Sequence, residues 1–171
     1  MGDRSPGAPV IGPEVVDEVV SRVAALDPSE EDAALEALAL RQPDLHAFVL
    51  AVSEDMPEGA DELAETLLLA VEEMFRTAHG ASSAPAAEDD VRRGYERVLS
   101  LLEATVASGG TLAALPTAQP HVLEYVQESL AQPLEDEEGE DAELPEEDRT
   151  DLELAFRAVI EVLGERPAAP A

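Results

Sequence analysis

From Val15 to Leu163 apolar side chains recur at every third or fourth position, and proline or glycine interrupts the rhythm at intervals. That spacing gathers them on one face of an α-helix, whereas a strand would need strict alternation. The stripe is most regular where Ala60, Leu63, Ala64, Leu67, Leu68, Val71, Met74, Phe75 and Ala78 follow one another over about five turns. Gly80 ends it, as a left-handed helix cap does. Leu68 and Val71, in the middle of the stripe, are expected to be fully buried.

Six other stretches share the rhythm. Residues 14–26 carry Val15, Val16, Val19, Val20, Val23 and Leu26. After Pro28, Ser29 with Glu30, Glu31 and Asp32 reads as an N-cap and acidic first turn of a helix reaching Arg41. Pro43 opens a helix with Leu45, Phe48, Val49, Val52 and Met56 inward; proline is tolerated there because the first-turn N–H has no helical partner anyway. Past the small, polar segment 80–88 come Val91, Tyr95, Val98, Leu99, Leu102 and Val106, stopped by Gly109-Gly110. Pro120 and Pro145 open the last two helices, with Tyr125 and Phe156 on their apolar faces. No strand pattern competes, so the chain is predicted to be all-α, with about seven helices.

The two halves resemble one another. Gln42-Pro43 followed by Leu45, Phe48 and Val49 matches Gln119-Pro120 followed by Val122, Tyr125 and Val126. Downstream, Ala64, Leu68, Val71 and Phe75 fall on Leu152, Phe156, Val159 and Leu163. The ordered matches predict two similar helical halves, packed as a bundle or a short solenoid, with residues 42–79 superposing on 119–164. The chain divides accordingly into a disordered N-terminus 1–13, a first half 14–79, a linker 80–89, a second half 90–164 and a disordered tail 165–171. Dense aliphatic packing with few pockets is expected, because the aromatic residues are few and each falls on a different helix.

Composition narrows the function. Asp and Glu number 39 against 10 basic residues, all arginine, for a formal charge of −29. With 45% hydrophobic residues the chain can nonetheless build a core. Lacking cysteine, it has no disulfides, thiolate nucleophiles or cysteine-held metal clusters. The absence of lysine removes a P-loop lysine and Schiff-base chemistry. A strongly negative field repels nucleic acid. The first residues have no apolar h-region, and no run reaches the roughly 18 apolar residues of a membrane span, so a cytoplasmic protein without membrane contact is expected.

Motifs for chemistry are missing. Pro43, Arg76 and Ala118 stand three residues before His46, His79 and His121, so the Glu-x-x-His of di-iron bundles is absent, as is the zincin motif. His121, Glu124 and Glu128 share one helix face and are the weak metal candidates; a solvated face near a helix start is the preferred reading. His79, in a last helical turn, complements the helix dipole. The acidic stretch 134–148 fails as a calcium loop, because Gly139 at its sixth position puts Leu134 and Pro145 where carboxylates are needed. It is expected to be a mobile, solvated loop that holds no specific ion. Arg92, Arg93 and Arg97 are expected to meet acids of the same chain, either Glu88, Asp89 and Asp90 or the acidic loop.

No catalytic, cofactor-binding or firm metal residue emerges, and no cofactor is implied. The favoured reading is a non-enzymatic protein-interaction module whose negative charge favours basic partners. The alternative is a metal-binding or carboxylate-using helical enzyme built on His46 or His121.

Overall fold

A computed structural model describes residues 8–80, 84–135, 139 and 141–165. Seven α-helices are present: α1 (Pro13–Ala24), α2 (Pro28–Arg41), α3 (Pro43–Ser53), α4 (Ala60–His79), α5 (Glu88–Ala107), α6 (Pro120–Leu130) and α7 (Glu146–Gly164). A short 3₁₀ turn, Leu112–Ala114, follows α5. Helix α4 packs on α7 through the long stripes, which places Leu68, Val71, Phe156 and Val159 at the centre of the core with no solvent exposure.

Helix starts follow local chemistry. Pro13, Pro28, Pro43 and Pro120 each occupy the first turn of a helix, where the missing N–H costs nothing. The cap of α2 is Asp27 and not Ser29. The Asp27 carboxylate accepts from the Glu30 N–H at 2.9 Å, and the Glu30 carboxylate accepts from the Asp27 N–H at 2.9 Å. Pro28 at the first position moves the start two residues earlier than expected, and this reciprocal capping box follows. Gly80 takes φ 96°, which suits glycine alone, and its N–H bonds to the Arg76 carbonyl.

The halves share more than the sequence matches. Gln42 caps α3 with φ −132° and ψ 60°, and Gln119 caps α6 with φ −130° and ψ 70°. From Gln42 to Ser53 and from Gln119 to Leu130, burial coincides position by position except at His46/Leu123 and Leu50/Gln127. Helix α4 from Ala64 onward likewise follows α7 from Leu152, differing only at Thr66/Leu154. The correspondence extends to helices that share few residues: α1 from Pro13 to Arg22 has the burial pattern of α5 from Glu88 to Arg97. The packing partners correspond too, since α1 sits on α4 and α6 while α5 sits on α7 and α3.

That exchange decides between bundle and solenoid. A solenoid unit touches only its neighbours in the chain, whereas α1 here packs on α6. The structure is a closed bundle, fastened crosswise. The buried Gln119 side chain accepts from the Ile11 N–H at 2.7 Å and donates to the Pro9 carbonyl at 3.0 Å. The buried Gln42 side chain accepts from the Ala86 N–H at 2.8 Å. Each half thus holds the segment that leads into the other half's first helix.

Several expected features are corrected. Residues 8–12 are not disordered: Ile11 is buried and held by Gln119. The linker is shorter than 80–89, because Ala86 is buried and α5 begins at Glu88. At the other end Glu165 is ordered by Arg97. The acidic stretch 134–148 is pinned at its ends. Leu134 and Leu144 are buried, because apolar side chains next to the core gain more than the chain loses on ordering. A two-residue antiparallel ladder sets Leu134 opposite Ala142 and Glu135 opposite Asp141. The expected mobility of 136–138 and 140 falls outside the described residues, as do 1–7, 81–83 and 166–171. Val106, expected inward, is 58% exposed, because α5 runs two turns beyond the end of α1's counterpart face.

The crosswise bonds have unequal strength. We expect Gln119→Leu to cost about 1–3 kcal/mol, since it strands the Ile11 N–H and the Pro9 carbonyl. Gln42→Leu should cost less, because Gln42 makes one such bond and its buried amide nitrogen has no partner. Chemical denaturation of the two variants, with hydrogen exchange at the Ile11 and Ala86 amides, checks the order.

Candidate functional site

The histidines fall in three different settings. His46 on α3 meets Glu65 on α4, Nε2 to Oε1 at 2.7 Å. His79 ends α4 with its ring tilted against Phe75, centroids 5.9 Å apart, in the last turn as expected. His121 lies in the first turn of α6, half-buried, with Glu124 and Glu128 exposed on the same helix. Among the described residues no group of three or more His, Asp or Glu is arranged to hold a metal ion, so His121, Glu124 and Glu128 are not brought together as one. The Glu65 partner of His46 was out of reach of sequence reasoning, because only the α3–α4 crossing brings the two together.

The arginines are organised more tightly. Arg92 pairs with Asp89, and Arg93 with Asp90, each one turn apart on α5. Arg97 passes over the acidic loop and takes Glu161 and Glu165 at the end of α7, Glu161 at 3.1 Å. Its counterpart Arg22 does the same on α4, with Glu73 at 3.2 Å and Thr77 at 3.1 Å.

A buried cluster adjoins this pair in the first half. Glu72 is only 1% exposed and receives two bonds from Arg41, Nε to Oε1 at 3.2 Å and a terminal nitrogen to Oε2 at 2.9 Å. Arg76 stands 3.8 Å from Glu72 and also bonds Glu73, which Arg41 reaches at 3.5 Å. The bond from Glu72 holds the Arg41 guanidinium above its ordinary pKa against the opposing effect of burial. Two-point contact of this kind is what a planar guanidinium offers and an ammonium does not.

In the second half the equivalent place is a cleft of about 490 Å³ between α5, the segment 115–119 and α7. Val98, Leu101, Leu115 and Ile160 form its walls, and Glu161 and Glu165 stand at its rim. The sequence predicts dense packing with few pockets, and this cleft is one place where the packing opens. Arg157, 7% exposed, closes the floor: it bonds Glu153 and donates to the carbonyls of Leu112 and Leu115 at 3.3 Å. Burial pushes the Glu161 carboxyl above the usual glutamate range; Arg97 pulls it partly back and Glu165 adds to the rise.

No family model, no curated protein and no solved structure matches the chain. No described helix is long and apolar enough to cross a membrane. What the fold and site define is an acidic, all-α bundle of two similar halves, with a cleft in the second half where the first half has its buried ion-pair cluster.

Two outcomes follow. Arg41→Ala leaves a buried carboxylate short of a partner and should destabilise toward the low end of about 3–5 kcal/mol, since Arg76 remains. Adding Glu72→Ile, which copies the second half, should recover much of that loss in urea denaturation. For Glu161, whose folded pKa is raised, the favourable share of stability is complete below the unfolded glutamate value. It is lost as pH rises through the folded value. Carboxyl NMR titration should place Glu161 above the exposed glutamates, and Arg97→Gln should move it higher; a downward move contradicts the assigned cause.

Proposed function

We propose that this chain is a non-enzymatic protein-interaction module of the cytoplasm, whose negative surface selects basic partners. One observation carries the reading. Every arginine among the described residues is bonded within the chain: Arg149 to the Leu144 carbonyl, and the other seven to carboxylates. With the cations turned to internal partners and a formal charge of −29, the excess carboxylate is left to face outward. A surface of one sign raises encounter rates with basic proteins and disfavours acidic ones, and salt weakens both effects.

The test is affinity capture on the immobilised chain at low and at high salt, with retained proteins identified and bound metal measured. Basic proteins held at low salt and released at high salt are expected. Capture that ignores salt and partner charge overturns the proposal, as does iron, manganese or zinc at stoichiometric level, which would point to the carboxylate-using enzyme.

A further inference from the structure

Matching the halves position by position shows what differs at the cleft, where the second half has no α-helix corresponding to α2. Arg41 corresponds to Ala118, Glu72 to Ile160 and Arg76 to Gly164, while Arg22 and Glu73 keep their types as Arg97 and Glu161. The three exchanges remove two guanidinium side chains and one carboxylate from the same place. Arg157, which stands where the first half has Leu69, brings one guanidinium to the floor and spends it on Glu153 and the Leu112 and Leu115 carbonyls. The chain path differs there, because the last turn of α2 is replaced by the non-helical segment 115–118, yet Leu38 and Leu115, Gln42 and Gln119, and Leu68 and Phe156 are buried at equivalent positions. The volume that Arg41 and Arg76 fill in the first half is open here, and Leu101 on its wall is 43% exposed.

The carboxylate at the rim records the same loss. Glu73 has three arginine partners, Arg22, Arg41 and Arg76. Glu161 has only Arg97 as its arginine partner among the described residues. The cleft therefore combines apolar walls, suited to an aliphatic stem, with a partly buried carboxylate that lacks the guanidinium groups of its counterpart.

We propose that this cleft receives an arginine-bearing segment of a basic partner protein, its guanidinium standing at Glu161 where Arg41 and Arg76 stand at Glu73. The first half is the template for the complex: it shows the occupant's chemistry, its stem lying on apolar side chains and its head on the carboxylate. This inference rests on the basic-partner reading and locates the contact.

The probe is a peptide copying residues 37–43 of this chain, which carries Arg41, beside the same peptide with Arg41→Ala. Amide NMR of the full chain follows each titration at low and high salt. The arginine peptide should shift Leu101, Ile160 and Glu161, and salt should weaken it. The Arg41→Ala peptide should bind at least about tenfold more weakly, the loss of one charge-assisted contact. Ala118→Arg, which restores the missing arginine from within, should abolish the shifts. Leu101→Lys, at a site exposed enough to leave folding intact, should weaken the peptide by a similar factor, and unchanged melting of both variants confirms that they fold.

Equal binding of the two peptides overturns the proposal in favour of a purely apolar site. Concentration-dependent dimerisation that Ala118→Arg abolishes overturns it in favour of a second copy. Absence of binding overturns it as well. If the arginine peptide instead shifts residues scattered over the acidic surface and ignores Ala118→Arg, the cleft assignment fails while the interaction module stands.

Discussion

Two glutamine side chains make one core out of two halves. Gln42 and Gln119 sit just ahead of proline-led helices, where the backbone turns sharply and the side chain is carried inward. Buried there, each needs hydrogen-bond partners, and each finds the backbone leading into the other half's first helix. The position of α1 against α6, and of α5 against α3, depends on these bonds. Helices α4 and α7, packed on each other and on the helices around them, then bury the long stripes.

The charge distribution follows a related logic. A chain this acidic repels itself, and its few cations act where repulsion would be worst. Arg22 and Arg97 bridge to the ends of the two central helices, while Arg41 and Arg76 hold a carboxylate inside the core. Replacing such a cluster with apolar residues is often neutral for stability. The second half, with Ile160 where the first has Glu72, shows the apolar solution in the same fold.

Much of this was legible in the sequence, and the remainder has physical reasons. The long stripes of α4 and the Gln-Pro helix starts are local patterns, and all seven helices were visible from periodicity. The likeness of α1 to α5 was hidden because few residues are shared beyond Val16 with Val91 and Arg22 with Arg97: Val19 corresponds to Gly94, where a Cβ would come within 2.7 Å of Val162. The burial of Glu72 has no local signal, since its partner Arg41 is on another helix. The cleft has no motif at all. It is defined by side chains that are smaller than their counterparts, and only superposed positions disclose it.

The bond from Ile11 to Gln119 spans 108 residues, which has a consequence for the order of events during synthesis. Until Gln119 has emerged from the ribosome, Ile11 has neither its hydrogen-bond partner nor α6 to cover α1, so the early helices wait in an unfinished state. Closing so long a loop is slower than any helix–helix contact within one half. The strong charge suits that wait, because nascent chains of one sign repel each other while their apolar faces are still uncovered.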